Sequence, residues 1–232
     1  MNGAAFASGS FDAILFDVDG TLAETEEAHR LAFNAAFREA GLAWHWDEAQ
    51  YRALLKVTGG KERIAAFMQA ENLAMDAALI ARLHASKTSV YTRIVAEGSL
   101  PLRPGIEKLI TATRAAGLAL GIATTTSRAN IDALISATLG PEAFGWFSVI
   151  ASAETAPLKK PAPDVYLAAF ETLGLDPARV IAIEDSFNGI RAAREAGLRV
   201  IATPSFYCSG DDLSEATRVV EAGESLAALL GL

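Results

Sequence analysis

The stretch FDVDGT, residues 16–21, ends an apolar run and places two carboxylates, Asp17 and Asp19, one residue apart. Side chains two positions apart in a strand lie on the same face, so both acids can face one space. In open α/β sheets, ligands bind at the carboxyl ends of the strands. Gly20 permits a turn here, and Thr21 adds a hydroxyl. The stretch predicts a functional strand end; the alternative is that one Asp caps a turn and the other is a solvated loop acid.

Short apolar runs recur along the chain and predict the strands of a parallel sheet. They are apolar almost without interruption, which is typical of strands covered on both faces. The predicted strands are Ala13–Phe16, 118–123, 147–151, 180–183 and 200–203, and the predicted helices between the later ones are 106–116, 129–139, Asp164–Leu173 and 189–196. This alternation predicts an α/β fold with a Rossmann-like, doubly wound parallel sheet.

The long interval between the first two predicted strands has a different pattern. Its apolar residues recur at helical spacing, and it contains no convincing strand. We therefore expect an inserted all-α helical cap domain at residues 25–98, hinged at 22–25 and 98–104. The α/β core would then be discontinuous, formed by residues 1–24 and 99–232.

Composition limits the classes of partner and compartment. The 232 residues carry 28 acidic and 20 basic side chains, a net charge of −8, which argues against nucleic acid or an anionic membrane as the partner. The single cysteine, Cys208, excludes an intrachain disulfide and fits a reducing compartment. The first residues do not resemble a signal peptide, and no apolar run approaches the roughly 20 residues that span a bilayer. We expect a cytoplasmic monomer that acts on a small molecule.

Three later segments carry polar groups at or beside predicted strand ends. In GIATTTS, Thr124 ends the second predicted strand, and Thr125 and Thr126 follow it; alone, these are also compatible with an ordinary turn. In LKKPAPDVY, Lys160 precedes a proline, and a lone lysine there is usually a surface residue. In VIAIEDSFNGI, Glu184 and Asp185 end a strand, where unpaired buried charge would be costly. Ser186 is suited to N-cap the next helix.

Together these strand ends bring four carboxylates to one edge of the predicted sheet. Such carboxylates repel one another and raise their pKa values. A bound hard cation removes that difficulty, and carboxylate oxygens suit Mg²⁺. The cation, Lys160 and the Thr124 hydroxyl would together bind a phosphoryl dianion, which an acidic protein otherwise repels.

These four motifs, in this order and spacing, resemble those of the haloacid dehalogenase superfamily of phosphotransferases, and the resemblance covers the whole chain. It implies that Asp17 is the nucleophile that forms an aspartyl-phosphate. It implies that Asp19 is the general acid and then the base that activates water. Thr124 and Lys160 would hold the phosphoryl oxygens. An acid at position 19 favours phosphate chemistry over dehalogenation.

The resemblance also implies a metal site and a substrate-binding cap. Mg²⁺ would be bound by Asp17, the backbone carbonyl of Asp19 and Asp185, with Glu184 acting through water. The insertion resembles the small helical cap of the sugar-phosphate branch, where related phosphomutases carry a histidine near the active site. The candidate substrate-binding residues are Glu26, His29, Lys61, Arg63, Thr125 and Thr126. A solvated helix face is the alternative for Glu26, Arg30 and Arg63.

The CbbY-type phosphatases, which hydrolyse xylulose 1,5-bisphosphate, are the group that this chain resembles most closely, in the combination of DVDGTLAETEEAHRLAFN, TGGKERI, ATTTS and KKPAPD. Gly59, Gly60 and Lys61 open a helix and could hold a second phosphate. The resemblance implies a Mg²⁺-dependent phosphatase acting on this bisphosphate. A sugar phosphomutase of the same fold, a phosphoglycolate-type phosphatase and a non-enzymatic binding module are the alternatives.

Overall fold

The computed structural model describes residue 6 and residues 9–98, 100–220 and 224–232. These residues form a six-stranded sheet in the order β3-β2-β1-β4-β5-β6, with every neighbouring pair parallel. The strands are β1 (Ala13–Phe16), β2 (Ala119–Ala123), β3 (Val149–Ala151), β4 (Val180–Glu184), β5 (Arg199–Ala202) and β6 (Arg218–Val219). Strand order reverses at β1, which places the ligand-binding crevice of a doubly wound sheet at the carboxyl end of β1.

Helices lie between the strands and on both faces of the sheet. Four of them, α1 (Glu26–Glu39), α2 (Glu48–Leu54), α3 (Gly60–Ala70) and α4 (Ala77–Ala96), fall between β1 and β2. The others are α5 (Ile106–Ala115), α6 (Arg128–Thr138), α7 (Asp164–Leu173), α8 (Phe187–Glu195) and α9 (Leu226–Leu229), with 3-10 turns at Pro141–Trp146 and Pro177–Arg179. None of the helices in the described residues combines the length and the apolar character that crossing a bilayer requires.

The buried sheet separates two apolar layers because successive strand residues point to opposite faces. In β4, Ile181 and Ile183 pack in the layer covered by α5, α6 and α9. Val180 and Ala182 pack in the layer covered by α7 and α8. The predicted α/β fold with a doubly wound parallel sheet is therefore confirmed.

The predicted strands are all present, and the differences are at their ends. The strand β6 was missed because its two residues, Arg218–Val219, form no apolar run. Helix α8 begins at Phe187, two residues before the predicted start, because Ser186 caps it and accepts a hydrogen bond from the Gly189 amide at 3.3 Å. Gly174 follows α7 in the left-handed conformation, at φ 64°, as expected of a helix stop.

Parts of helices α1–α4 form an apolar cluster separate from the two layers of the sheet. Its centre is aromatic: the Phe37 and Trp46 rings lie 4.8 Å apart and meet edge to face at 75°. Trp46 and Tyr51 are fully buried in it, so they are core residues of this segment. Tyr207, from the loop after β5, also packs there. The boundaries of the cap domain at residues 25 and 98 stay a prediction.

The two connections between this segment and the sheet run side by side. Ala23 and Leu102 form an antiparallel bridge, and the Arg103 amide donates to the Leu22 carbonyl at 2.8 Å. The Arg103 guanidinium also donates to the Gly20 carbonyl and, at 2.7 Å, to that of Thr203. These bonds fix the loop that carries Asp17 and Asp19 to the base of α5.

Candidate active site

The polar strand ends converge on one cavity. Asp17 follows β1, Thr124 follows β2, and Asp185 follows β4, while Lys160 lies on the loop between β3 and α7. All four line a cavity of about 720 Å³, which residues of α1, α3 and α4 also line. Because β1 lies between β2 and β4, the sheet order itself brings these side chains together.

Lys160 connects the acids of two strands. Its Nζ donates to Oδ1 of Asp17 at 2.6 Å and to Oε1 of Glu184 at 2.7 Å. It also donates to the Ala123 carbonyl at 3.0 Å, so it links three neighbouring strand ends. Burial lowers the pKa of Lys160, but the carboxylates of Asp17 and Glu184 outweigh that effect and raise its pKa. Lys160 is therefore a permanent cation; the surface-lysine alternative is wrong, since only 5% of the residue is exposed.

Glu184 is fully buried at the end of β4. Its Oε1 accepts hydrogen bonds from Lys160 and from the Tyr166 hydroxyl of α7. Its Oε2 has no hydrogen-bond partner among the described residues. Oε2 lies against Gly189, where an added Cβ would come within 1.9 Å of it. Oε2 is therefore a buried carboxylate oxygen that a cation or a hydrogen-bond donor would stabilise.

Three buried acids could hold a metal ion. Asp17, Glu184 and Asp185 each offer a carboxylate oxygen, and these oxygens lie within 4.8 Å of one another. Burial raises the pKa of Asp17 to about 7; Lys160 opposes this rise, while Glu184 and Asp19 add to it. Burial and the charge of Asp17 also raise the pKa of Asp185 well above its ordinary value. A divalent cation would remove this mutual repulsion.

Asp19 is directed away from the other acids, toward the cap. Its Oδ1 accepts hydrogen bonds from Thr25 at 2.6 Å and from Nε2 of His29 at 3.0 Å. Burial raises the pKa of Asp19, but His29, Thr25 and Lys87 together lower it below its ordinary value. Asp19 is thus held as a carboxylate, and the structure does not test its predicted metal contact, which is through the backbone carbonyl.

Behind His29 lies Lys87, which the sequence analysis missed. Its Nζ lies 2.7 Å from Nδ1 of His29, within hydrogen-bond distance. Burial lowers the pKa of His29, and the adjacent ammonium of Lys87 lowers it further. A neutral His29 accepts this bond at Nδ1 and donates Nε2–H to Asp19. Lys87, His29 and Asp19 form a continuous hydrogen-bonded chain from α4 to the strand end.

The spacing of Lys87 among apolar residues could have identified it from the sequence. It occupies a helical stripe with Ile80, Leu83, Val90 and Tyr91, all of which are buried. A lysine on an apolar face is costly to bury unless its ammonium finds a partner, and here the ammonium hydrogen-bonds to His29. The spacing alone could therefore have marked Lys87 as a candidate functional residue.

Glu26 and Arg63 meet through Tyr51. The Tyr51 hydroxyl donates to Oε2 of Glu26 at 2.6 Å and accepts from Nη1 of Arg63 at 2.8 Å. Side-chain exposure is 13% for Glu26, 12% for Arg30 and 10% for Arg63, so the solvated-face alternative is wrong for all three. Glu26, Tyr51 and Arg63 belong to α1, α2 and α3, and Glu26 and Arg63 line the cavity.

Lys61 lies at the start of α3 and lines the same cavity. It has no hydrogen-bond partner within the described part of the chain, so its ammonium is available to a ligand. Gly60 lets the helix start approach the ring of His84, since a Cβ there would come within 2.6 Å of it. The segment of α1–α4 and its loops contributes these cationic residues to the cavity: Arg52, Lys56, Lys61, Arg63 and Lys87. This positive lining offsets the negative charge of the chain locally.

Thr125 and Thr126 line the cavity beside Thr124. The Thr126 amide donates to Oγ1 of Thr124 at 3.3 Å, and Oγ1 of Thr126 accepts from Nδ2 of Asn130 at 2.8 Å. Thr124 is 1% exposed, and its hydroxyl proton is free to serve an anion in the cavity. All the predicted candidate residues except Glu184 thus line one cavity, and Glu184 is buried beside it and bonded to Lys160; their roles stay predictions.

Comparison with known proteins establishes the family. Residues 11–197 match the family model of the haloacid dehalogenase-like hydrolases, and the chain belongs to that family. It is an enzyme, a phosphoric monoester hydrolase with the doubly wound sheet described above. The resemblance carried by the four motifs is confirmed.

Relatives within the family include bacterial proteins that bear the name CbbY. The CbbY protein of Rhodobacter capsulatus is 53% identical over 204 residues, which cover 88% of this chain and 90% of that protein. The CbbY protein of Cereibacter sphaeroides is 47% identical over 221 residues, covering 95% of this chain and 96% of that protein.

Solved structures agree with the sequence relatives. CbbY from Rhodobacter sphaeroides in complex with phosphate matches with a TM-score of 0.90 and 46% identity, over 96% of this chain and 100% of that one. An Asp-to-Asn variant of CbbY from the same organism, in complex with xylulose-(1,5)bisphosphate, matches with a TM-score of 0.87 and 47% identity, over 90% and 93%. A β-phosphoglucomutase from Clostridium difficile, 23% identical with a TM-score of 0.77 over 91% of each chain, shares the fold alone.

Proposed function

We propose that this enzyme is a Mg²⁺-dependent phosphatase that hydrolyses xylulose 1,5-bisphosphate through an aspartyl-phosphate on Asp17. The observation that carries the proposal is the ion pair of Asp17 and Lys160, whose Oδ1 and Nζ lie 2.6 Å apart. Asp19 lines the same cavity, and so do basic side chains from the α1–α4 segment. The CbbY structure in complex with xylulose-(1,5)bisphosphate, 47% identical to this chain, supports the substrate.

The acidic group fits a hard divalent cation by its chemistry. It consists of buried carboxylates, and Oε2 of Glu184 has no hydrogen-bond partner among the residues that the structure describes. Asp17, Asp185 and the backbone carbonyl of Asp19 would hold Mg²⁺, with Glu184 acting through water. When bound, the cation would neutralise the acids and withdraw charge from the phosphoryl oxygens.

Asp17 and Asp19 divide the chemistry. A carboxylate oxygen of Asp17 attacks phosphorus and forms the aspartyl-phosphate, while the ester P–O bond breaks and the leaving oxygen takes a proton from Asp19. A water molecule then attacks phosphorus and gives its proton to Asp19. The bond between phosphorus and Asp17 breaks, which releases inorganic phosphate and restores the carboxylate. Lys160 and Thr124 hold the phosphoryl oxygens throughout.

Asp19 must carry a proton for the first step, although it is a carboxylate in the substrate-free protein. The contacts from Thr25 and His29 both go to Oδ1, which leaves Oδ2 for the leaving oxygen. A phosphoryl dianion beside Asp19 raises the affinity of Asp19 for a proton, because like charges disfavour ionisation. The acid form therefore arises with the substrate in place.

The second phosphate of the substrate would bind at the start of α3. The backbone N–H groups after Gly59 and the ammonium of Lys61 offer donors and positive charge. Glu26, His29 and Arg63, with Thr125 and Thr126, would contact the sugar between the two phosphates. The site needs both phosphates to satisfy both cationic ends, which favours a bisphosphate.

We further propose a cytoplasmic monomer. Cys208 is buried with a free thiol, and burial raises the pKa of this thiol, so it has neither the exposure nor the acidity of a reactive cysteine. A reducing compartment is compatible with this chemistry. All the residues assigned above come from one chain.

The proposal is tested by comparing phosphate release with isomer formation. Purified enzyme with Mg²⁺ is given xylulose 1,5-bisphosphate, xylulose 5-phosphate, glucose 1-phosphate and phosphoglycolate, and free phosphate and sugar phosphates are measured. We expect phosphate release to be fastest from the bisphosphate. Isomerisation of a sugar phosphate without phosphate release would identify a phosphomutase, and preferred hydrolysis of phosphoglycolate would refute the substrate.

A further inference from the structure

All three N–H groups of the Lys160 ammonium already have acceptors within the protein. These acceptors are Oδ1 of Asp17, Oε1 of Glu184 and the Ala123 carbonyl. If Lys160 binds a phosphoryl oxygen, as the proposed function requires, one of these bonds must be given up. The question is which acceptor can lose Lys160 at the lowest cost.

Glu184 is the acceptor with a second donor. The Tyr166 hydroxyl donates to the same oxygen, Oε1, that accepts from Lys160. Without Tyr166, release of Lys160 would leave Oε1 of this fully buried carboxylate with no donor among the described residues, which offer none to Oε2 either. An unpaired buried charge is strongly unfavourable. With Tyr166 present, Oε1 keeps a hydrogen bond after Lys160 leaves.

The surroundings hold Tyr166 and Glu184 in place. Tyr166 is fully buried on α7, and its ring centroid lies 5.2 Å from Nζ of Lys160. On the other side, Oε2 of Glu184 lies against Gly189, with no room for even one added carbon atom. The carboxylate is therefore confined between α7 and α8 and has little room to follow Lys160.

We propose that Tyr166 is a positioning residue: its hydroxyl keeps Glu184 hydrogen-bonded, so that an N–H group of Lys160 can turn to the phosphoryl oxygen. This inference rests on the proposed phosphoryl transfer. It assigns Tyr166 no contact with the substrate. A tyrosine hydroxyl keeps its proton at neutral pH, so it remains a hydrogen-bond donor to Glu184.

The test is Tyr166→Phe, which removes the hydroxyl and keeps the ring. The full-length variant is titrated with inorganic phosphate by calorimetry at saturating Mg²⁺, and its kcat and KM are measured on a sugar phosphate. We expect phosphate to bind about 10-fold more weakly and kcat to fall about 10-fold, as for loss of a hydrogen bond to a charged group. The matched control is Val165→Ala, which removes buried packing from the same helix and changes no polar group.

The outcomes separate positioning from stability. The proposal predicts that Val165→Ala lowers the melting temperature and leaves phosphate binding and kcat near their original values. Tyr166→Phe should weaken phosphate binding and lower kcat, and leave the melting temperature near its original value. Unchanged phosphate binding and kcat in Tyr166→Phe would overturn it. The proposal would also be overturned if the two variants lost equal amounts of phosphate affinity and kcat together with an equal fall in melting temperature.

A double-mutant cycle tests whether Tyr166 acts through Glu184. We expect the loss of phosphate affinity caused by Tyr166→Phe to shrink in a Glu184→Gln background, where no buried charge depends on the hydroxyl. An equal loss in both backgrounds would refute the proposed route. The calorimetric assay needs no known substrate, so a protein that binds phosphate but hydrolyses no sugar phosphate would refute the proposed function separately.

Discussion

Nε2 of His29 lies 3.0 Å from Oδ1 of Asp19, so a helix of the inserted segment directly holds the acid that follows β1. The contact connects the two parts of the molecule at the proposed acid–base group. Because Nδ1 of His29 is 2.7 Å from Lys87, the tautomer of the imidazole is fixed from α4. Any movement of α1 and α4 relative to β1 would change the environment of Asp19.

Lys87→Met should separate stability from activity. Burial lowers the pKa of Lys87 to about 8, below its ordinary value, so the folded state disfavours this ammonium at neutral pH. Removing it should leave the melting temperature unchanged or raise it by a few degrees. The loss of the donor to Nδ1 of His29 should lower kcat about 10-fold. Calorimetry measures the melting temperature and steady-state kinetics measures kcat, and Lys108→Met, at an exposed position, is the control. A large fall in stability with unchanged kcat would contradict the assigned role.

The stabilising effect of Mg²⁺ should depend on pH. The pKa of Asp17 is raised to about 7, so between the ordinary value of 3.8 and 7 the metal-free folded state binds a proton that the unfolded state does not. Stability of the metal-free protein should therefore fall as pH rises through that window, by an amount on the order of a few kcal/mol. Protons and the metal ion compete for the same carboxylates.

The measurement is the melting temperature with Mg²⁺ and with a chelator, at about pH 5.5 and about pH 8. We expect the increase caused by Mg²⁺ to be larger at the higher pH. Ca²⁺ at the same concentration tests whether any divalent cation suffices. An equal increase at both pH values would show that Asp17 and Asp185 are not the binding groups.

Gly189→Ala should damage the site even though alanine is the better helix former. In an exposed helix this substitution would stabilise the fold by about 1 kcal/mol. Here the new Cβ would come within 1.9 Å of Oε2 of Glu184, so the carboxylate or α8 must shift. We expect a lower melting temperature and weaker Mg²⁺ binding. Gly145→Ala, which meets nothing within 4 Å, is the control and should change neither quantity.

Lys61→Ala should affect bisphosphates selectively. Removing its ammonium should raise KM for xylulose 1,5-bisphosphate by about 10-fold, and KM for a small monophosphate ester by less than about 2-fold. Lys108→Ala, on the exposed face of α5, serves as the control for loss of a positive charge. Equal increases for both substrates would mean that Lys61 does not contact the distal phosphate.

The core of the site could be predicted because it depends on strand ends. Asp17, Thr124, Glu184 and Asp185 each end or follow an apolar run, and the carboxyl ends of parallel strands meet at one edge of the sheet. Local sequence therefore sufficed for the fold and for the residues around the predicted phosphate site. Lys160 required the additional knowledge of how the motifs are ordered.

The residues that the sequence did not reveal depend on tertiary contacts. Tyr166 and Tyr51 look like ordinary apolar positions of their helices, and only the fold shows that each hydroxyl meets a carboxylate. Tyr207 joins the aromatic cluster of α1–α4 from a loop far along the chain, and its hydroxyl donates to Glu27 of α1. The periodicity of a sequence predicts which face of a helix or strand is buried, but it does not predict which polar atom of another element that face will contact.

The most direct test of the proposed function is the release of inorganic phosphate from xylulose 1,5-bisphosphate in the presence of Mg²⁺, measured for the original enzyme and for Asp17→Asn. The substitution keeps the shape of the side chain and removes the attacking carboxylate. We predict rapid release by the original enzyme and less than about 0.1% of that rate by the variant. No release by the original enzyme, or an undiminished rate in Asp17→Asn, would contradict the account.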